Sequence, residues 1–145
     1  MELADLERLS RHSFPGGAFR IEGYEDWLMR DVLGAERGDG VHAHPMWGFA
    51  APQAAMGITV DEVFQLCGSS AAEGPLLGDT KVELVTSLLI DHPYTVSGGI
   101  VSAVRKTGRQ AGVFDLVHFS VESRSPDGEL AARLTNSFVF PRKAS

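Results

Sequence analysis

The sequence predicts a single α+β domain in which helices precede a run of antiparallel strands. Three observations support this fold class. Apolar residues fill nearly every position between Pro45 and Met56, as in a helix that is enclosed by other structure. From Lys81 onward apolar and polar residues alternate, which is typical of strands with one buried face. The length of 145 residues suffices for one hydrophobic core and leaves little room for a second domain.

Composition excludes several classes of protein. The hydrophobic share of 43% and the charged share of 22% are typical of globular domains. The formal net charge of -6 opposes binding to nucleic acid, which usually requires a basic face. A charged N-terminus and the lack of an apolar run of roughly 18 residues predict a cytoplasmic protein without a membrane segment. Cys67 is the single cysteine, so an internal disulfide is excluded, and we expect this residue in the core.

The first third of the chain carries weak signals. Residues 1–18 show no sustained period and predict a loosely held arm ahead of a domain formed by residues 19–145. A short strand is expected around residues 19–21. A helix follows, because apolar residues recur at helical spacing and Gly34 is well placed to end it; these residues are Tyr24, Trp27, Leu28 and Val32.

Two further helices are predicted in the middle of the chain. In the first, Pro45 suits the opening turn, and Pro52 should kink the helix or end it early. The second has Thr59 as its N-cap, Glu62 as the capping-box partner and Gly68 as its stop.

Four strands complete the domain, at residues 81–89, 94–106, 112–123 and 129–140. Gly98 and Gly99 indicate a bulge or sharp bend in the second strand, and residues 125–128 predict the last turn. Two polar residues interrupt apolar faces of these strands. Asn136 requires hydrogen-bond partners if it is buried, and a buried Asp115 costs several kcal/mol unless it is paired.

Five stretches of sequence suggest a family. They are A-H-P-M-W at residues 43–47, G-P-L-L-G-D at 74–79, V-R-K-T-G-R at 104–109, D-G-E-L-A at 127–131 and F-V-F-P-R at 138–142. Together they resemble the MaoC-like hydratase branch of the hot-dog fold, in which a curled antiparallel sheet wraps a central helix. The resemblance spans residues 42–142 and implies binding of acyl thioesters of coenzyme A or acyl carrier protein. It also implies a homodimer or a heteromer with a second hot-dog subunit.

The resemblance implies a catalytic pair as well. MaoC-like hydratases carry an Asp and a His five positions later in a D-x-N-P-x-H loop, where the two groups handle a water molecule and the α-proton. Asp39 and His44 have that separation here, within D-G-V-H-A-H-P, and His42 offers a second imidazole in the same loop. However, the Asn-Pro is absent, and His44-Pro45 also matches the A-H-G that opens the central helix in the family. On that second alignment the loop is shortened, and the chain resembles the non-catalytic half of a two-part hydratase.

The candidate substrate-binding residues come from these stretches and from the two polar positions on the strands. They are Trp47, Asn136, Asp115, Arg105, Lys106 and Arg109, the last three being candidates for the coenzyme A phosphates. Arg142 and Lys143 form a second basic pair. We expect no cofactor apart from coenzyme A as part of the substrate, because the sequence has no glycine-rich phosphate loop and no metal-ligand spacing.

Three functions remain open from the sequence. The first is an enoyl-CoA hydratase or 3-hydroxyacyl-CoA dehydratase, or the non-catalytic subunit of one. The second is an acyl-CoA thioesterase, since the same fold hydrolyses thioesters with a lone acidic residue or His. The third is a non-catalytic scaffold or acyl-binding module.

Overall fold

The computed structural model, which describes residues 1–110 and 112–142, places four α-helices against one antiparallel sheet of five strands. The helices are α1 Leu3–Leu9, α2 Gly23–Leu33, α3 Trp47–Ala54 and α4 Val60–Leu66, and a 3₁₀ turn follows at Ala71–Glu73. The strands are β1 Gly17–Arg20, β2 Leu76–Leu84, β3 Pro93–Gly108, β4 Gly112–Arg124 and β5 Leu130–Arg142. Their order across the sheet is β1-β3-β4-β5-β2, so β1 and β2 form the edges.

The core lies between one face of the sheet and the helices. Alternate residues of β4 are buried, and Val117, Phe119 and Val121 are at most 1% exposed. Phe64 of α4 packs edge-on against Phe138 of β5, with ring centroids 5.1 Å apart. The predicted period-two alternation is therefore confirmed in β4, where it puts one face against the helices, whereas β2 is exposed on both faces.

The N-terminal segment belongs to this core. Leu6 and Leu9 of α1 and Phe14 are all at most 7% exposed. The backbone also pairs with β3, because Phe14 N donates to the Gly98 carbonyl and Ile100 N donates to the His12 carbonyl. The prediction of a loosely held arm is thus wrong. Leu6 and Leu9 stand at helical spacing, but a helix of seven residues is too short to give a sustained period, and its buried partners lie in β3 and β4.

The predicted helix after residue 22 is confirmed as α2, which ends at Gly34 with a φ of 66°. Its apolar residues, however, point outward. Tyr24 and Val32 are 63% and 83% exposed, and Trp27 and Leu28 about half exposed. The buried residue of this helix is Asp26, at 3% exposure.

The two middle helices follow their sequence signals closely. Thr59 and Glu62 form the predicted capping box of α4. Pro52 lies in the last turn of α3, which ends two residues later at Ala54. The prediction that this helix is enclosed on all sides is wrong: Gly48, Ala51 and Pro52 are buried, whereas Met46 and Ala54 at its two ends are exposed.

The strands are confirmed, and two details of their prediction are corrected: the bounds of β2 and the position of the irregularity in β3. The first predicted strand begins and ends about five residues too late, since β2 spans Leu76–Leu84. The chain leaves the sheet after Leu84, where the backbone nitrogens of Val85 and Thr86 both donate to the Ala131 carbonyl. Leu88 is then buried in a second, smaller core cluster, whose buried members are Ile21, Ala43, Leu88, Ile90, Tyr94, Ala131 and Ala132.

The irregularity in β3 falls between Ile100 and Ser102, just after the two glycines. Gly98 and Gly99 are needed for another reason. A Cβ on Gly98 would lie 2.2 Å from the Ser120 carbonyl oxygen, and one on Gly99 would lie 2.4 Å from that of His12. Side chains at these positions would therefore push away both β4 and the N-terminal segment.

Candidate functional site

A cavity of about 570 Å³ opens along the outward side of α3, where this helix meets the start of α4. Its walls are mostly apolar, and the residues that line it are Phe49, Ala50, Gln53, Ala54, Gly57, Ile58, Thr59, Val60 and Glu62. A concave, largely apolar space with a few polar groups is the usual form of a small-molecule site.

The polar group that α3 contributes to this cavity is Gln53, and a buried residue of β5 holds it. Asn136, which is 1% exposed, donates from Nδ2 to Gln53 Oε1 at 3.0 Å. Asn136 Oδ1 is also buried and has no partner among the described residues. An unsatisfied buried acceptor costs about 1–3 kcal/mol. The sequence analysis identified Asn136 from its place on an apolar face, but nothing in the sequence paired it with Gln53, 83 positions away.

Glu62 is the carboxylate among the residues that line the cavity, and its side chain already accepts hydrogen bonds from Thr59. Its Oε1 accepts from the backbone nitrogen of Thr59 at 3.2 Å and from the Thr59 hydroxyl at 3.0 Å. These are the hydrogen bonds of the capping box that starts α4. Glu62 therefore serves the helix end in this arrangement.

The loop before α3 pairs Asp39 with His42. Asp39 Oδ2 lies 2.7 Å from His42 Nδ1, and Oδ1 accepts from the backbone nitrogens of Val41 and His42. These contacts, chiefly those from His42, hold the pKa of the Asp39 carboxyl well below its usual range. Both side chains are about half exposed.

His44 has a different set of contacts. Its Nδ1 accepts from the backbone nitrogen of Met46 at 3.0 Å, and its own backbone nitrogen donates to Asp26 Oδ1 at 2.7 Å. The imidazole thus caps the turn that leads into α3. Among the described residues, no hydrogen bond joins Asp39 to His44.

Asp26 is a residue that the sequence analysis missed. Its carboxylate accepts from the His44 backbone, from Trp47 Nε1 at 3.2 Å and from Arg30 Nε at 2.7 Å. Burial by itself would raise the pKa of Asp26, but these hydrogen bonds outweigh it and the pKa is lowered. Asp26 and Arg30 stand four positions apart on a helix, which is the spacing of an ion pair. That spacing was the signal available in the sequence. The sequence analysis relied instead on the spacing of the apolar residues of α2, which the structure shows to be exposed.

Trp47 is fixed by the same carboxylate at the first residue of α3 and packs against the smaller core cluster. Gln53 lies six residues further along the helix, a rise of about 9 Å. The loop residues therefore lie at the start of α3, whereas the cavity extends along the helix from Phe49 to its end.

Asp115 is fully buried and paired, as its position on an apolar face required. Arg105 of β3 donates from Nε to Asp115 Oδ1 at 2.8 Å and from Nη2 to Oδ2 at 3.1 Å. Arg142 of β5 donates from Nε to Oδ2 at 2.8 Å. Burial would raise the pKa of Asp115, but the two guanidinium groups lower it. Arg142 also donates to the carbonyls of Cys67 and Gly68, so this cluster fastens the end of α4 to the sheet.

The remaining basic candidates lie near the β3–β4 hairpin. Lys106 and Arg109 are exposed, whereas the Arg105 guanidinium is held by Asp115 and by the Met1 carbonyl. Asp115 is four residues along β4 from Phe119, the cross-strand partner of Asn136, a distance of about 13 Å. The Asp115 cluster thus lies about 13 Å from Asn136, the residue that holds Gln53 at the cavity. Lys143 lies outside the described residues.

No family model matches the chain, and no curated protein matches it. Solved structures do match. A chain of the ChsH1-ChsH2 complex from Mycobacterium tuberculosis superposes with a TM-score of 0.69 at 11% identity, covering 99% of this chain and 96% of that one. The C-terminally truncated HadBC (3R-hydroxyacyl-ACP dehydratase) complex from the same organism gives 0.64 at 11% identity, over 88% and 93%. A MaoC-like dehydratase from Rhodospirillum rubrum gives 0.59 at 14% identity, over 97% and 98%.

These superpositions span most of both chains in each pair. The predicted fold is therefore confirmed: the protein is a hot-dog domain of the form seen in MaoC-like dehydratases.

Proposed function

We propose that this protein binds acyl thioesters of coenzyme A or acyl carrier protein as a subunit of a MaoC-like hydratase or dehydratase. The fold is that of solved dehydratases, and α3 borders a cavity with apolar walls. In this proposal the thioester lies near the start of α3, and the acyl chain runs along the helix into the cavity. The proposal includes the cytoplasmic location that the sequence predicts.

One observation favours a binding subunit over a complete enzyme. The imidazole of His44 caps the turn before α3, and the Asp39 carboxylate contacts His42 instead. A hydratase needs an acid and a base that share one water molecule. We propose that a second hot-dog subunit supplies this pair.

The sheet edge is a suitable place for that second subunit. All but one residue of β2 are exposed, and the apolar ones are Leu76, Leu77, Val82 and Leu84, followed by Val85. An exposed, apolar edge strand is a liability that proteins remove by pairing it. The solved complexes ChsH1-ChsH2 and HadBC each combine two components, which supports a heteromer here and leaves a homodimer as the alternative.

We further propose that the exposed Lys106 and Arg109 meet the phosphates of coenzyme A bound to a neighbouring subunit, with no separate cofactor, because in their own chain they lie on the far side of the cavity from the start of α3. Arg105 has a smaller role in this proposal, because Asp115 already holds its guanidinium. Charge reversal at Lys106 and Arg109 should then weaken binding of the coenzyme A thioester, and binding of the same acyl group on N-acetylcysteamine should not change.

Purified protein and crotonyl-CoA test the main proposal. We expect saturable binding in calorimetry without hydration, which would appear as loss of enoyl absorbance. Asp39→Asn, His42→Ala and His44→Ala should retain that binding. Hydration by the chain alone, abolished in Asp39→Asn and in one of the histidine variants, would show that Asp39 and that histidine are catalytic. No binding of any acyl thioester would overturn the proposal.

A thioesterase is the second candidate, because Glu62 is a lone carboxylate in the cavity. To activate water it would have to give up its hydrogen bonds to Thr59. Release of free thiol from crotonyl-CoA, lost in Glu62→Gln, would favour this candidate. A scaffold would show neither binding nor turnover.

A further inference from the structure

The amide pair of Gln53 and Asn136 has a direction that bears on the choice of acyl group. Asn136 Nδ2 donates to Gln53 Oε1, so the oxygen of Gln53 is used on the buried side. The hydrogen bond that the Gln53 side chain makes among the described residues is through its oxygen, which leaves the amide nitrogen for a ligand, and Gln53 lines the cavity. Gln53 therefore offers both N–H donors of its amide to a molecule in the cavity, whereas one lone pair of its oxygen is already used by Asn136.

An unbranched alkyl chain would be a poor occupant of this site. It would cover the Gln53 amide nitrogen and leave its N–H groups without a partner, and such an unpaired donor weakens binding. A ligand oxygen at the same place would accept a hydrogen bond. Sites that hydrogen-bond a ligand group discriminate strongly against the analogue that lacks it.

We infer that the cavity selects acyl chains that carry an oxygen atom beyond the thioester, with Gln53 as the donor that contacts this oxygen and Asn136 as the residue that positions Gln53. The inference rests on the proposed function. Gln53 lies about 9 Å along α3 from Trp47, so the oxygen belongs several carbons away from the thioester. The substrate class is thus an acyl thioester with an oxo, ether or hydroxyl oxygen in its chain.

Four eight-carbon thioesters of N-acetylcysteamine test the inference by calorimetry: octanoyl, 3-oxooctanoyl, 5-oxooctanoyl and 7-oxooctanoyl. The 5-oxo or the 7-oxo compound should bind about tenfold more tightly than the octanoyl compound, the value of one hydrogen bond. Equal binding of all four would overturn the inference and leave the proposed function intact. Binding of none would remove the proposed function, and the inference would fall with it.

Variants separate the two roles. Gln53→Leu should erase the preference for the oxo compounds while binding of the octanoyl compound is retained. Gln65 is an exposed glutamine of α4 outside the cavity, so Gln65→Leu should leave the preference unchanged. Asn136→Leu should also erase the preference, because Gln53 is then free to turn. Ser123→Ala provides the matched control, since Ser123 is likewise buried in the sheet and its hydroxyl has no partner among the described residues.

Circular dichroism confirms that each variant is folded before binding is measured. If folded Asn136→Leu keeps the full oxo preference, Asn136 does not position Gln53. If Gln53→Leu keeps it, Gln53 is not the donor.

Discussion

Asp26 accepts a hydrogen bond from the backbone nitrogen of His44 at 2.7 Å, and this contact joins α2 to the loop that begins α3. The same carboxylate holds Trp47 and Arg30. One buried side chain thus sets the position of the helix that borders the candidate acyl site.

We expect Asp26→Ala to lower the free energy of unfolding by about 3 kcal/mol, because it leaves the Arg30 guanidinium and the His44 nitrogen without their acceptor. Urea unfolding measures this loss. Asp31→Ala changes an exposed residue of the same helix and should cost much less. Similar small losses in both variants would show that Asp26 does not anchor the loop.

Variants of the Asp115 cluster should follow a definite order of stability. Asp115→Ala leaves two guanidinium groups without their carboxylate and should cost about 3–5 kcal/mol. Arg105→Met should cost less, since Arg142 still pairs Asp115. Arg142→Met should lie between the two, because it also frees the end of α4. Thermal unfolding gives the order, and a larger effect at Arg105 than at Asp115 would contradict it.

Stability should fall in acid. The folded-state pKa values of Asp26 and Asp115 are lowered relative to the unfolded value of about 3.9. Their contribution is therefore complete above that value and is lost as the pH falls through the folded pKa. Urea unfolding at pH 7, 5, 4 and 3 should show the decline, and Asp115→Asn should show a shallower one. High salt screens the exposed ion pairs, so the pH dependence of stability that remains at high salt is due to these two buried carboxyl groups.

Cys67 should resist thiol reagents in the folded protein. Burial raises the pKa of its thiol to about 12, and the side chain is fully buried. At pH 8 the thiolate fraction should be about a thousandfold lower than in unfolded chain. Labelling with a chromogenic disulfide, with and without denaturant, measures the ratio. Fast labelling of folded protein would show that the end of α4 opens readily.

The sequence by itself determined the α+β class, the order of helices and strands from β1 onward, and the capping box at Thr59 and Glu62. These features are local: each depends on residues within one or two turns, or on an alternation that any strand with one buried face must show. It also identified Asn136 and Asp115 as polar residues on apolar faces.

Only the tertiary structure decided which partners those residues have. Asn136 meets Gln53, and Asp115 meets Arg105 and Arg142, across strands and helices that are distant in sequence. It also decided that Asp39 contacts His42, that α2 buries Asp26 and exposes its apolar face, and that the N-terminal segment joins the core. The physical reason is common to all of these cases. Hydrogen bonds and burial depend on how the elements pack in space, and spacing along the chain does not determine that packing.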